Sequence, residues 1–208
     1  MFSCSSLIRN FPLPLIIGFA GLLCTPLQAK AQNLSVRSQN SFLPVGVAAV
    51  DITPNRPIRL SGFGSRKEPS EGIAQQLHAK ALAIGNDNQL SVLVTDDSIG
   101  VPAWVSNELS ARLNRKVSLP RASLVVASFH THAAPALYGT LPYLFVSGLT
   151  ESEQEEIKRY TNRLLDKLEE VALGAIVNRA PARLAWTKGS VGFAGNRRVL
   201  ENGKWQGF

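Results

Sequence analysis

Residues 79–98 read AKALAIGNDNQLSVLVTDDS and contain the pattern that decides the fold. Two apolar runs, Ala79 to Ile84 and Leu90 to Thr95, flank Gly85-Asn86-Asp87-Asn88, a strong turn signal, so we predict a β-hairpin. Its second strand runs into Asp96-Asp97-Ser98. Functional sites collect at this end of strands in open α/β sheets, although capping of the next helix is the more common role for such carboxylates.

The flanking segments alternate between strand and helix patterns. Apolar residues at helical spacing predict helices, and Thr150 with Glu153 forms a capping-box signature at the start of the longer one. The predicted segments are a strand over 45–50, a helix over 101–116, a strand over 124–128, a helix from 150 to about 178 and a strand over Ala182–Val191. This order predicts a single α/β domain with a mixed β-sheet covered by helices.

The first 31 residues have the three parts of a secretory signal. A positive region ends at Arg9, an apolar stretch follows from Phe11 to Leu27, and Ala29-Lys30-Ala31 has the A-x-A form of a cleavage site. We therefore expect residues 1–31 to be a signal peptide cleaved after Ala31, and the protein to be exported to the periplasm or the cell exterior. An uncleaved anchor and a lipoprotein attached through Cys24 are the alternatives.

The amino-acid composition limits the kinds of site and partner that the protein can have. The only cysteines, Cys4 and Cys24, lie in the predicted leader, which argues against a disulfide scaffold, thiolate metal sites and a cysteine nucleophile. The chain of 208 residues is 45% hydrophobic and 18% charged, as in a globular protein, and its net charge is +7. Because the basic residues are scattered and match no nucleic-acid-binding motif, we expect no nucleic-acid partner, while anionic surfaces and amphiphiles remain open.

His130 and His132 follow the predicted strand 124–128 directly. In extended backbone, an i, i+2 spacing projects both imidazoles from one face, which is a geometry that metal sites use. Two hydrogen-bonded loop histidines are the alternative interpretation. Upstream, the glycines of Ser61-Gly62-Phe63-Gly64 indicate unusual dihedral angles or a close approach by another group, unless this is an ordinary surface loop.

The order of the motifs resembles the N-terminal catalytic domain of the neutral/alkaline non-lysosomal ceramidases. The resemblance begins near Val45 and extends to the end of the chain. It rests on Val45-Gly46, Asp51-Ile52-Thr53-Pro54, Ser61-Gly62-Phe63-Gly64, Gly72-Ile73, Leu77 to Leu82, Thr95-Asp96, Ser128 to Pro135 and Gly195-Asn196-Arg197.

The resemblance implies a zinc-dependent hydrolase that cleaves the amide of N-acylsphingosine. His130 would be a ligand of the single zinc ion, and His132 would hydrogen-bond the substrate or the tetrahedral intermediate. Arg197 would contact the polar end of the substrate, whereas the position of His78 is not a ligand position in that family. The implied partner is an amphiphilic amide or sphingolipid-like substrate, and peripheral contact with a membrane remains open.

The chain departs from the family pattern in two ways. Ala133 stands where the family usually has Ser. The family's other zinc ligands (a His, a Glu and a Tyr) and its nucleophilic Ser lie beyond the Asn-Arg element, and no spacing argument nominates Asp96 or Asp97 in their place. We therefore interpret residues 32–208 as the N-terminal part of such a domain, and we expect poor solubility when they are expressed alone. A non-catalytic remnant or binding module that retains the first half of the fold is the alternative.

Overall fold

A computed structural model describes residues 37–38, 42–140, 148–190, 192 and 198–207. Two of the sequence predictions, the signal peptide over residues 1–31 and the role of Arg197, lie outside these residues. The chain divides into two compact units, one formed by residues 36–188 and the other by residues 1–35 with 189–208. The first unit contains the five-stranded sheet and the two helices that the structure describes.

The elements of the first unit follow the predicted order. The strands are β1 (Arg37–Ser38), β2 (Leu43–Asp51), β3 (His78–Ile84), β4 (Ser91–Asp96), β5 (Leu124–Ser128), β6 (Ala180–Ala182) and β7 (Ala185–Trp186). The helices are α1 (Ala103–Val117) and α2 (Glu151–Val177), with short 3₁₀ turns at Asp87–Gln89 and Arg121–Ser123. The predicted hairpin, both helices and the strand over 124–128 are confirmed.

The central sheet has five strands in the order β5-β4-β3-β2-β6. Strands β4 and β5 are parallel, while the β3–β4, β2–β3 and β2–β6 pairs are antiparallel. Helix α1 is the crossover that parallel neighbours require. The α/β class with a mixed, helix-covered sheet is therefore confirmed.

Helix α2 lies directly on one face of the sheet because β2 and β3 carry small residues on that face. A Cβ atom at Gly46 would lie 2.0 Å from the carbonyl oxygen of Ala175, so the helix backbone touches β2 where a side chain is missing. The neighbouring positions on β3, Ala79, Ala81 and Ala83, are buried. The predicted apolar stripe of α2 is also buried: Ile157, Tyr160, Leu164, Leu168, Val171, Ala172 and Ala175.

Helix α2 begins at the predicted capping box. The Thr150 hydroxyl accepts a hydrogen bond from the Glu153 N–H at 3.3 Å, and the Thr150 N–H donates to Glu153 Oε2 at 2.9 Å. The hydrogen bond from the Thr150 backbone holds the pKa of Glu153 below its ordinary value. Arg112 of α1 then joins the two helices, with Nη1 2.7 Å from Asp166 and 3.2 Å from Glu169.

The prediction of a single strand over Ala182–Val191 is wrong. Two short strands replace it, with β6 pairing with β2 and β7 pairing with β1. Pro44 and Pro181 are opposite each other where β6 meets β2. Because proline has no N–H to donate, this edge ladder is short and the chain leaves it after Ala182.

The second unit contains one hairpin among its described residues. Strands β8 (Arg198–Glu201) and β9 (Lys204–Gly207) pair antiparallel, with Glu201 opposite Lys204. Asn202 and Gly203 form the two-residue turn with φ values of 51° and 74°, as a twisted hairpin requires. Within the part of the chain that the structure describes, no helix combines the length and apolarity needed to cross a membrane.

Candidate active site

The candidate site lies where the parallel strands β4 and β5 end. The chain beyond β5 stays hydrogen-bonded to the chain beyond β4: the Phe129 N–H donates to the Asp96 carbonyl at 3.0 Å and the Thr131 N–H donates to the Ser98 carbonyl at 3.2 Å. His130, between these two contacts, is thus held against the end of β4. This is the position where open α/β sheets collect functional groups.

His130 has an exposed side chain whose ring orientation is fixed by one contact. Its Nδ1 lies 2.8 Å from the carbonyl oxygen of Ile99. Since a carbonyl oxygen only accepts hydrogen bonds, Nδ1 carries the proton in this contact and Nε2 keeps a free lone pair. A histidine that ligates a metal typically donates its second ring N–H in this way.

The extended backbone predicted for the two histidines is wrong at His130. Strand β5 ends at Ser128, and His130 has φ +59°, in the left-handed region, instead of extended backbone. The rings of His130 and His132 nevertheless meet edge to face, with centroids 5.3 Å apart. A non-glycine residue in this conformation costs of the order of 1–3 kcal/mol, so the surrounding contacts must hold it.

His132 is half-buried and sits on a platform formed by Gly62 and Phe63. Its ring lies edge to face on Phe63, with centroids 5.0 Å apart. Gly62 has φ +106°, and a Cβ atom there would lie 2.5 Å from the Cβ of His132. Unusual dihedral angles and a close approach, the two reasons for glycine given by the sequence pattern, therefore both apply at Gly62.

Arg66 ties this platform to the histidine loop. Its Nη1 donates to the His132 carbonyl at 3.0 Å and to the Ser61 carbonyl at 3.4 Å. The guanidinium carbon lies 5.0 Å from the centroid of the Phe63 ring, within the range of a cation–π contact. No sequence pattern indicated a role for Arg66 or for the ring of Phe63; the available signal was an aromatic residue between two glycines.

The chain on either side of the platform is anchored by a buried arginine. Arg59 is 4% exposed and its Nη1 lies 3.2 Å from Oε1 of Glu153. The Arg59 carbonyl accepts from the Ala136 N–H at 2.8 Å, and the Ser61 N–H donates to the Ala134 carbonyl at 3.0 Å. Residues 59–61 and 134–136 thus form a short ladder that fixes the chain beyond His132.

Asp96 and Asp97 do not cap helix α1. The N-cap residue of α1 is Pro102, with no side-chain hydrogen bond, so the common role favoured for these carboxylates is wrong. Asp96 is fully buried, accepts from the Ser128 hydroxyl at 2.9 Å, and has no partner for Oδ1 among the described residues. Burial raises the pKa of Asp96 above its usual value. Asp97 Oδ2 instead accepts from the backbone N–H of His78 at 2.8 Å.

A cavity of about 490 Å³ opens beside the histidine loop. Leu60, Leu77 and Pro135 are among its apolar lining residues, and Thr131 and Asp97 contribute polar atoms. Thr131 stands between the two histidines in the chain, so the cavity and the imidazoles share one loop. A mainly apolar cavity with a few polar groups is typical of a small-molecule site.

His130 fits the requirements of one zinc ligand, but the described residues do not provide a complete site. Catalytic zinc usually has three protein ligands and one open position. Within the described ranges, no group of three or more His, Cys, Asp or Glu side chains could hold a metal ion. His78 begins β3, where its backbone N–H donates to Asp97 Oδ2 at 2.8 Å.

Comparison with solved structures shows which known fold this chain resembles. No protein-family model matches the chain, and no curated protein matches it. A crystal structure of neutral ceramidase from Pseudomonas aeruginosa superimposes with a TM-score of 0.53 and 21% identity, covering 69% of this chain and 23% of that one. A structure of a ceramidase complexed with C2 superimposes with a TM-score of 0.54 and 20% identity, and the match covers 68% of this chain and 22% of that one. The chain has the fold of part of a neutral ceramidase.

The structural match confirms the ceramidase resemblance at the level of the fold. This chain spans less than a quarter of the length of the ceramidases that it matches. At this level of identity, the similarity carries the architecture and leaves the roles of individual residues to be argued from the local geometry.

Proposed function

We propose that this chain forms part of an exported, zinc-dependent amide hydrolase of the neutral ceramidase type, acting on an amphiphilic amide such as N-acylsphingosine. The observation that carries the proposal is the geometry of His130 on a ceramidase-like fold. Its Nδ1–H is bound to the Ile99 carbonyl, and its ring lies edge to face with that of His132. The predicted leader over residues 1–31 supports the export.

In this proposal His130 holds the zinc ion through Nε2. Zinc, when bound, supplies Lewis acidity, which polarises a carbonyl oxygen and acidifies water without a thiol. The contact with Ile99 restrains the ring of His130 and leaves Nε2 as the nitrogen that would bind the metal. The remaining ligands would come from residues outside the described part of the chain.

His132 would act on the substrate instead of the metal. Phe63, Gly62 and the bond from Arg66 to its carbonyl restrict the ring and the backbone of His132. A half-buried imidazole held in this way can donate or accept a hydrogen bond at an amide carbonyl as negative charge develops there. Arg197 is proposed, from the family resemblance alone, to bind the polar end of the substrate.

The cavity beside Thr131 supports an apolar substrate portion. Leu60, Leu77 and Pro135 offer apolar surface within one loop of the imidazoles. An aliphatic chain that leaves water here gains about 0.8 kcal/mol for each buried CH₂ group. An amphiphilic amide would place its chain in this cavity and its amide near the histidines, and such a substrate is available at a membrane surface.

The proposal is tested on the protein expressed from its native gene and exported. Zinc per chain and hydrolysis of N-acylsphingosine are measured for the wild type, for His130→Ala and for the matched control His78→Ala. We expect His130→Ala to lose zinc and hydrolysis, and His78→Ala to keep both. Full zinc content and activity in His130→Ala would overturn the assignment.

A non-catalytic binding module remains the second candidate because the described residues contain no group of three metal-ligating side chains. In that case the native protein would bind the amphiphilic amide without hydrolysing it and without zinc. The intact mass of the native protein separates the two candidates further. A species much heavier than the 22.5 kDa of this chain favours the hydrolase, and a mass equal to residues 32–208 favours the binding module.

A further inference from the structure

A continuous series of hydrogen bonds connects the ring of His130 with the buried carboxyl group of Asp96. The Nδ1–H of His130 donates to the Ile99 carbonyl at 2.8 Å, and the Gly100 N–H donates to the Ser98 hydroxyl at 3.1 Å. The Ser98 hydroxyl donates to the Ser128 hydroxyl at 3.2 Å. The Ser128 hydroxyl then donates to Asp96 Oδ2 at 2.9 Å. Every donor in the series points toward Asp96.

The link between the ring and the hydroxyls is a single peptide group. The Ile99 carbonyl and the Gly100 N–H belong to the same planar trans peptide, in which the two groups point in opposite directions. The Ser98 hydroxyl therefore fixes one side of this plane and the His130 ring is bound on the other. Rotation of the plane would break both contacts together.

The direction of the series is set at Asp96. The ionised carboxyl group only accepts hydrogen bonds, so with Asp96 ionised the Ser128 hydroxyl donates to Oδ2 and is left to accept from Ser98. Ser98, having donated its proton, accepts from the Gly100 N–H. Hydrogen bonds aligned in one direction polarise one another, so the Ile99 carbonyl becomes a stronger acceptor for the Nδ1–H of His130.

The burial of Asp96 indicates that this arrangement is not primarily a stabilising one. The carboxyl group is 0% exposed, and its second oxygen has no partner within the described residues. A buried polar atom without a partner costs about 1–3 kcal/mol. Ser128 is directly opposite Asp96 in the parallel β4–β5 register, so the cost falls at the strand ends that carry His130.

We propose that Asp96 is a positioning residue for His130, acting through Ser128, Ser98 and the Ile99–Gly100 peptide to hold the imidazole in its Nδ1–H form. The role of His130 as a zinc ligand rests on the proposed function, whereas the control of its tautomer does not. The arrangement extends the carboxylate–histidine pairing that orients metal ligands, with two hydroxyls and a peptide between the partners.

The test measures the tautomer of His130 by ¹⁵N NMR of the metal-free full chain with labelled histidine. We expect the Nδ1–H form to dominate in the wild type and to fall to a mixture in Ser98→Ala and in Asp96→Ala. Ser98→Thr restores a hydroxyl and should restore the wild-type tautomer. Asp97→Ala is the matched control, because that carboxylate binds the His78 N–H and should leave the His130 signal unchanged.

Thermal melting identifies any variant that fails to fold. If Asp96→Ala does not fold, Ser98→Ala decides the question, since it leaves the Ser128–Asp96 bond in place. A wild-type tautomer in folded Ser98→Ala and Asp96→Ala would overturn the proposal. A separate zinc titration of the native protein should show a 10- to 100-fold weaker affinity in Ser98→Ala. Absence of zinc binding with a shifted tautomer would contradict the proposed function and leave the positioning role standing.

Discussion

The two faces of the central sheet differ in the size and the exposure of their side chains. The face under α2 is buried, and on β2 and β3 it carries Gly46 and alanines, whereas β4 adds Val92 and Val94. The opposite face carries a row of larger apolar residues in register across four strands: Val47, Leu82, Leu93 and Val125. On β2 and β3 the smaller residues are therefore the ones that are packed, because a helix backbone lies on them.

The second face is highly exposed for a surface made of apolar side chains. Val47 is 64% exposed, Val125 is 54% exposed and Leu93 is 37% exposed among the residues that the structure describes. All-parallel sheets usually have both faces covered, and antiparallel sheets that leave one face to water usually place polar residues there. A contiguous exposed apolar row favours self-association, which agrees with the expectation that residues 32–208 are poorly soluble alone.

The largest difference between the faces should appear when side chains are enlarged. Gly46→Val drives two methyl groups and a Cβ atom into the backbone of α2, so we expect a loss of about 3 kcal/mol or more in the free energy of unfolding. Ala49→Val, on the opposite face of the same strand, adds bulk at an exposed position and should change stability by less than about 0.5 kcal/mol. Urea unfolding of both variants measures the difference, and equal losses would break the comparison.

Removal of side chains should give a smaller difference. Val94 is fully buried under the helices and Val125 is half exposed on the adjacent strand. Val94→Ala should cost about 2 kcal/mol, because it loses apolar burial and leaves a cavity. Val125→Ala should cost less than about 0.5 kcal/mol in the same denaturation experiment. A cost at Val125 comparable with that at Val94 would mean that the second face is covered in solution.

The smallest effect on stability, with a visible effect on solubility, is expected from charges on the open face. The double variant Val47→Lys with Val125→Lys should raise the soluble fraction in a sedimentation assay and change the free energy of unfolding by less than about 0.5 kcal/mol. Val177→Lys is the control for an added charge, since this valine is exposed at the last residue of α2 and is not part of the apolar row. An equal gain from Val177→Lys would show that net charge, not the apolar row, controls solubility.

Local patterns in the sequence predicted most of the fold. The hairpin depends on neighbouring apolar runs and the turn between them, and the start of α2 depends on Thr150 and Glu153 three residues apart. Both signals lie within short segments, so tertiary contacts did not alter them. The prediction of one strand over Ala182–Val191 was wrong because β6 pairs with β2 beside Pro44, which is far away in the chain.

The candidate site could be predicted only in part. The spacing of His130 and His132 indicated that their rings meet, although the backbone at His130 is left-handed instead of extended. The series from Asp96 to His130 could not be predicted, because its central link is a main-chain peptide that has no side-chain signature. The platform of Gly62 and Phe63 had a glycine signal, but nothing in the sequence indicated that His132 would rest on it.

The ladder between residues 59–61 and 134–136 has a consequence for how the protein folds. The Ser61 hydroxyl donates to the Ala134 carbonyl across a separation of 73 residues, and the strands β3, β4 and β5 with α1 lie between these partners along the chain. Contacts of such long range form only after the entropy of closing the intervening loop has been overcome. A chain that has formed only its hairpin and its helices therefore has no support under His132, and completion of the site coincides with completion of the fold.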